Sequence, residues 1–454
     1  MTHRAEFYGE RDRRTRAYGV RDGPLERPVA IAAGDDAASA PAGQICILAA
    51  VNMVARVHRR IRLQIPDRVL LVPSLVPASS LREAAEVLAA AIDPYIELAA
   101  PDTDVPTLAI GSTEGSIHVG ADGFAAEVGR APVAVSEHPA GFFGGGIGAC
   151  MGAAALLRLA VGARPVFRRV SLWGFTEGVE AQAGPRRSIG ALDVGDLVAL
   201  IGAGAVGSAI CYWLRYIGVR GEWEVVDRDV IELHNTNRGL GMLAADAGWS
   251  GGIPAGEQAY KADIAASLIG AQPVRSWYHE WAETMPTRPD LLIPEANDHG
   301  VRELVGRLGL PLMVHAATSE MWGAHLYRNG PKDRCVACLF ASARNVHFTC
   351  AEGQLPTADS ESTESESGDA ALPFLSGAAG LLVVAALAQL EDGFLESPYN
   401  HRRLFLGDQA RGSWSNTISG CEHGCRSRPR PSVRTRLNRG HRWTHLDSPD
   451  GWNS

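Results

Sequence analysis

The apolar and polar positions divide the chain into alternating strand and helix signals. Leu197–Ile201 is a continuous apolar run, which predicts a strand buried on both faces. A glycine-rich turn and a helix through Ile217 come next, then a second strand at Trp223–Val226. Leu291–Ile293, Leu312–His315 and His325–Tyr327 predict further strands. Upstream, Asn52–Ile61 reads as amphipathic and Arg68–Val72 as a buried strand. Ser80–Ile92 predicts a helix capped by Ser79 or Ser80, with Glu83 completing a capping box. Thr107–Ile110, Ser116–Val119 and Pro132–Val135 predict short strands. Residues 162–195 read as a mixed connector. Gly144–Val161 and Ser376–Leu390 are apolar and rich in glycine and alanine, and each predicts a buried helix closing one half of the chain. The first half therefore reads as a degenerate copy of the second, in which PSLVPASS, after Leu70-Leu71-Val72, stands where a glycine-rich turn is missing.

Composition narrows the class. A chain of 454 residues, 46% hydrophobic and 21% charged, is an ordinary globular protein of two to three domains. Its formal charge of −8 argues against a nucleic-acid partner, because neutralising phosphates takes an excess of basic residues. Residues 1–27 are Arg-rich and lack the apolar core of a signal peptide. Ala370–Leu390 is long enough to span a bilayer, but Pro373, Ser376 and Gln389 interrupt it and Glu391-Asp392 come directly after, so it reads as a core helix and no membrane partner is expected. Basic positions are almost all arginine. The only lysines are Lys261 and Lys332, which makes each worth inspecting.

Gly202-Ala203-Gly204-Ala-Val-Gly207 lies between a predicted strand and a predicted helix, the context a phosphate-binding turn requires. Glycines let the backbone approach a phosphate, and the helix start supplies N–H donors. Asp227 ends the second strand, where a carboxylate can bind ribose hydroxyls. These residues alone also fit an NAD-binding oxidoreductase.

The block beginning at Asp227 is more particular. Asp227-Arg-Asp229-Val-Ile-Glu-Leu-His-Asn235-Thr-Asn237-Arg238 resembles the D-x-D-x-(V/I)-x-x-x-N-L-x-R signature of the ThiF/MoeB and ubiquitin-activating-enzyme superfamily. Lys261-Ala-Asp-Ile-Ala-Ala, Asn297-Asp298 before Arg302, Cys335-Val-Ala-Cys338 and Cys350-Ala-Glu-Gly-Gln-Leu resemble its later blocks, in order, over about half the chain. The resemblance implies an ATP-dependent enzyme that adenylates the C-terminal glycine of a ubiquitin-like or sulphur-carrier protein. It assigns Arg238 and Lys261 to the phosphates, Asp227 to ribose, and a magnesium-facing acid to the Asn297-Asp298 pair. Asp298 is the expected ligand, since an amide substitutes poorly for a carboxylate at Mg²⁺. An asparagine in the metal acid's place would instead mark a non-catalytic binding module.

Two short cysteine pairs, Cys335-x-x-Cys338 and Cys421-x-x-x-Cys425, form a Cys₄ set that fits structural Zn²⁺. Cys46, Cys150 and Cys211 lie in apolar runs and are expected in the core. Cys350 precedes a polar acidic stretch that reads as a mobile loop. In autophagy-type relatives a cysteine here is the thioester nucleophile, whereas in MoeB-like relatives it has no such role.

The resemblance thus implies an α/β protein with a Rossmann-like adenylation domain preceded by a degenerate, inactive adenylation-like domain. The expected divisions are a charged lead-in at 1–40, the inactive domain at 41–190, the active domain at 191–425 with a crossover loop at 351–371, and a basic flexible tail at 426–454. The extra N-terminal half favours activation of a ubiquitin-like modifier over sulphur-carrier adenylation. The layout looks like the stand-alone activating enzymes of bacterial ubiquitination-like operons linked to phage defence. Expected partners are the modifier, a conjugating enzyme and a second copy in a homodimer, in the cytoplasm. Family members take an arginine at the ATP site from the opposing domain. Arg11, Arg13, Arg14 and Arg16 are the candidates here.

Overall fold

The computed structural model describes residues 3–98, 105–284, 289–296, 301, 312–319, 321–329, 372–390, 399–407 and 415–416. Three short helices open the chain: α1 (His3–Arg11), α2 (Arg13–Arg16) and α3 (Asp22–Glu26). The first sheet contains β1 (Val29–Ala33), β2 (Arg60–Gln64), β3 (Glu97–Leu98), β4 (Thr107–Ile110), β5 (Ile117–Asp122), β6 (Ala125–Gly129), β7 (Arg168–Ser171) and β8 (Thr176–Glu177). Its helices are α4 (Asp35–Ser39), α5 (Pro41–Ala55), α6 (Leu81–Ile92) and α7 (Gly141–Ala160). The strand order is β3-β2-β1-β4-β5-β6-β7-β8, parallel from β3 to β5 and antiparallel beyond.

The second half repeats this plan. Strand β9 (Leu197–Ile201) leads through α8 (Ala205–Ile217) to β10 (Glu222–Val226) and the short helix α9 (Leu233–Thr236). A small hairpin of β11 (Trp249–Ser250) and β12 (Ile253–Pro254) precedes α10 (Lys261–Ser267), β13 (Gln272–Val274) and α11 (Tyr278–Thr284). Then come β14 (Leu291–Pro294), β15 (Met313–Ser319), β16 (Gly323–Asn329), α12 (Pro373–Ala388), β17 (His401–Phe405) and β18 (Ser415–Asn416). The order β13-β10-β9-β14-β15-β16-β17-β18, parallel through β15 and antiparallel after it, matches the first sheet position for position. The degenerate-copy reading of the first half therefore has a structural counterpart in a repeated α/β topology.

One continuous core joins the halves. It holds α5 and α7 from the first and α8 and α12 from the second, packed between the two sheets. Every residue of α12 is buried, and the Trp213 indole N–H on α8 donates to the Gly377 carbonyl on α12 at 2.7 Å. Helix α7 is long and apolar enough to cross a membrane, but it is enclosed in this layer. Cys46, Cys150 and Cys211 are buried here as expected, and burial pushes their thiols up, Cys46 and Cys211 to about 12.

Several expectations from sequence are corrected. Residues 1–40 are not only a lead-in: β1 pairs on both sides within the first sheet, so that unit starts before residue 41. The connector at 162–195 contributes β7 and β8 to the same sheet. The amphipathic reading at Asn52–Ile61 gives way to the end of α5, buried from Ala42 to Ala55, and the start of β2. Arg68–Val72 is a loop, with Val69 74% exposed. The buried Gln44 side chain takes over its backbone pairing, donating to the Val69 carbonyl (2.8 Å) and accepting from the Leu71 N–H (2.7 Å). Pro132–Val135 makes only isolated bridges to Gly111 and Ala121. Helix α6 keeps its cap: Ser80 Oγ accepts from the Glu83 N–H at 3.3 Å, and the Glu83 carboxylate reaches back to the Ser79 N–H at 2.7 Å.

Candidate functional site

In a doubly wound sheet the ligand crevice opens at the carboxyl ends of strands where the winding reverses. In the second half that point lies between β9 and β14. Gly202 comes directly after β9 with φ +94°, and an added Cβ would meet the Ala296 nitrogen at 2.7 Å. At Gly207 an added Cβ would collide with the Gly202 carbonyl oxygen, so the start of α8 sits directly on the turn. Gly204 caps α8 and faces open space. The loop thus has two glycines required by close approach and a third that leaves room for a ligand.

Asp227 closes the loop from β10. Its carboxylate accepts the Ala203 N–H at 2.7 Å and the Asp229 N–H at 2.9 Å. Burial raises its pKa, while nearby Lys261 opposes that shift. Lys261 opens α10, where its Nζ lies 2.9 Å from Asp229 Oδ2 and its N–H donates to the Asp229 carbonyl, also at 2.9 Å. The D-x-D signature therefore positions both the turn and the lysine.

The block from Asn235 to Arg238 divides by role. Asn235 Oδ1 accepts from the Glu232 N–H at 2.9 Å, which caps α9. Asn237, fully buried, donates to Thr15 Oγ1 and to the Arg56 carbonyl, each at 3.0 Å. Arg238 is half-buried beside His234. The His234 imidazole is depressed to about 3, first by burial and then by the charges of Arg14, Arg13, Arg238 and Lys261. The same ring lies 3.1 Å from Glu232 Oε2, and two of the four cations whose charges act on it come from the N-terminal segment.

That segment reaches the second half by packing. Phe7 and Tyr8 of α1 form a small core with Ile231, Leu233, Met242 and Trp249. Glu10 Oε1 lies 3.2 Å from His234 Nδ1. Of the four candidate arginines, Arg13 pairs with Glu10 at 3.5 Å, and the charges of Arg13 and Arg14 act on His234. Arg11 is buried against Asp12 (2.6 Å) and Asp93 (2.5 Å), and Arg16 pairs with Asp22 at 3.0 Å, so both hold structure.

The corresponding crevice of the first half is filled. Gly34-Asp35-Asp36 comes after β1, and this, not the PSLVPASS stretch, occupies the place of the phosphate turn. Asp36 accepts N–H bonds from Ser112 (2.9 Å) and Val135 (3.2 Å), and the Ser112 hydroxyl at 3.2 Å. These donors hold its carboxyl below the ordinary range against the opposing effect of burial. The turn's own carboxylate therefore occupies the backbone donors around it.

Sequence reasoning misses Glu295, the acid directly after β14. Its N–H donates to the Ile201 carbonyl at 2.7 Å, and its carboxylate accepts the Ala316 N–H at 2.9 Å beside the loop. An acid ending the apolar run LLIPE is the available signal. Glu10 and His234 are missed as well, because only tertiary packing joins them. Asn297, Asp298, Arg302, Cys335, Cys338, Cys350, Cys421, Cys425, the 351–371 loop and the 426–454 tail lie outside the described residues.

Fold and site together define a doubled α/β protein with one open glycine loop. The ThiF family matches residues 196–425, just over half the chain, and the BilD N-terminal domain matches residues 28–171. The chain belongs to the ThiF family. It is 27% identical over 348 residues to the uncharacterized protein y4jF of Sinorhizobium fredii (strain NBRC 101917 / NGR234), covering 71% of this chain and 63% of that one. Similar solved structures include Escherichia coli MccB with AMPCPP and SeMet MccA (14% identity, 50% of this chain, 65% of that chain, TM-score 0.34). MccB with ATP (15%, 52%, 67%, 0.34) and SeMet PaaA (15%, 50%, 64%, 0.31) are also similar. The chain spans about two thirds or less of the length of these proteins.

Proposed function

We propose that this chain adenylates the C-terminal glycine of a ubiquitin-like protein with ATP and then carries it as a thioester. The observation that carries the reading is the open Gly202–Gly207 loop held by Asp227, with Lys261 anchored beside it on Asp229 and the positive charges of Arg238, Arg13 and Arg14 acting at neighbouring His234. A carboxylate and a triphosphate repel each other, so a site that joins them needs preorganised cations. The modifier's carboxylate oxygen attacks the α-phosphorus, the bond to the bridging oxygen breaks, and pyrophosphate leaves. Arg238 and Lys261 would bind the phosphates, Asp227 the ribose, and Arg13 or Arg14 would act as the arginine supplied by the other half. Asp298 would hold Mg²⁺, which draws charge from the departing pyrophosphate.

The Cys350 thiolate would then attack the acyl carbon and expel AMP, leaving a thioester for a conjugating enzyme. Cys335, Cys338, Cys421 and Cys425 would hold structural zinc, since four thiolates leave no open position. The setting is a bacterial cytoplasm and an antiviral ubiquitination-like operon, with a homodimer as the expected assembly.

The test is ATP–pyrophosphate exchange with the candidate modifier. Lys261→Ala is expected to slow exchange about 100-fold, the scale of removing one group that stabilises developing charge. Cys350→Ala should keep exchange and lose the thiol-sensitive adduct on a non-reducing gel. Exchange without any adduct in the wild type would replace this reading with sulphur-carrier adenylation.

A further inference from the structure

The turn that carries Arg238 is gripped from behind by the first half. Arg56 ends α5 and is fully buried. Its guanidinium donates to the Thr236 carbonyl through Nη1 and to the Leu240 carbonyl through Nη2 at 3.0 Å. Those carbonyls lie on either side of Arg238 in sequence. The third arm, Nε, donates to Asn52 Oδ1 at 2.8 Å, and Asn52 in turn donates to the Leu240 carbonyl at 3.0 Å. Asn237 closes the ring by donating to the Arg56 carbonyl at 3.0 Å.

The energetics make this arrangement unusual for a merely structural residue. A buried guanidinium is normally matched by a carboxylate, because a desolvated charge needs compensation. Arg11, on the same side of the fold, has two carboxylate partners. Arg56 instead binds one amide and two backbone carbonyl oxygens. Burial and the neighbouring Arg11 lower its pKa to about 9. Its planar fork suits two carbonyls spaced along one turn, which a lysine's single ammonium cannot span in the same way.

We infer that Arg56 is a positioning residue for the anion site, holding the 236–240 turn so that Arg238 stands ready for a phosphate. The inference rests on the nucleotide reading proposed for this loop. Arg56 is fully buried behind the turn and would act through Arg238. The fork fixes the turn before a ligand arrives, so the ordering cost is met by folding and not by binding.

The experiment measures binding of MgATP, tripolyphosphate and adenosine to the full chain by calorimetry, well below each variant's melting temperature. Arg56→Met, of similar length and uncharged, is expected to weaken MgATP and tripolyphosphate tenfold or more and to leave adenosine unchanged. Arg56→Lys should fall between, as the conservative rescue. Met53→Ala, a buried deletion on the same helix, is the control: it should lower the melting temperature without changing any of the three affinities. Hydrogen exchange of the 236–240 amides should quicken in Arg56→Met and not in Met53→Ala. If the wild type binds MgATP and Arg56→Met binds it equally well, the nucleotide reading stands and the positioning role is wrong. If the wild type binds neither MgATP nor tripolyphosphate, the nucleotide reading itself has failed and the role falls with it.

Discussion

Two alanine substitutions in one loop should have opposite signatures. Gly207 meets the Gly202 carbonyl so closely that a Cβ there overlaps the oxygen. Relief would require α8 to move outward. It cannot do so cheaply, because α8 packs on α12, where a Cβ at Gly380 would already lie 2.8 Å from the Ile210 nitrogen. Overpacking against backbone of this kind costs about 1–3 kcal/mol, so Gly207→Ala should lower stability by that amount and weaken nucleotide binding with it. Gly204 has φ −70° and nothing within 4 Å of an added Cβ. Gly204→Ala should therefore change stability by less than about 1 kcal/mol, the scale of an N-cap preference. The empty space it fills is where a phosphate must approach the loop, so MgATP affinity should fall about 100-fold, close to 2.7 kcal/mol. Thermal melts with and without MgATP, paired with calorimetric titration, separate the two effects. A Gly204→Ala protein that binds MgATP as the wild type does would refute the placement of the phosphates on this loop.

Asp36→Ala removes the carboxylate that accepts the exposed Ser112 N–H and the part-buried Val135 N–H, and denaturant melts should show a loss of about 1 kcal/mol, the scale of an ordinary hydrogen bond; an unchanged midpoint would mean water replaces the carboxylate without cost. His58 is fully buried and depressed from 6.5 to about 4 by burial and Arg11. The folded form stays neutral while the unfolded chain takes up a proton, so stability is kept above pH 6.5 and lost as pH falls toward 4, by roughly 3 kcal/mol for this residue. His58→Leu should flatten the slope of stability against pH in that window, and an identical slope would exclude His58 as a contributor. Purified, reduced protein should contain one zinc per chain, and Cys335→Ser should lose it and melt earlier; metal analysis finding none would reject the Cys₄ proposal.

How far the sequence reveals this molecule depends on whether a signal is local. Leu197–Ile201, the glycine turn, Asp227 and Lys261 form one strand–turn–helix unit and its close neighbours, so the pattern alone locates the loop and its attendants. The first half has the same topology and is far harder to read. Its central strand is Val29-Ala-Ile-Ala-Ala, where the alanines give a weak strand signal, and its turn has an acid where phosphate donors would be. The apolar Val69–Val72 run resembles the missing strand because a buried glutamine side chain doing a strand's pairing leaves no mark in periodicity. Arg13, Arg14, Glu10 and Arg56 are legible as charges, but their destination is set by packing across a hundred and eighty residues of chain or more.

The path of the N-terminal segment also has a kinetic consequence. Helix α1 brings Glu10 to within 3.2 Å of His234 on α9, and the charges of Arg13 and Arg14 on α2 act on the same ring, all along one polypeptide. Completing that corner of the site is an intramolecular closure, governed by an effective concentration on the order of millimolar or above for short tethers, and not by protein concentration. Specific activity that depends on these arginines should therefore hold steady as the enzyme is diluted. Cutting the chain after Arg16 would turn the same contact into a weak encounter between a short peptide and its former host, and adding the peptide back would measure how much of the site's readiness the covalent link supplies.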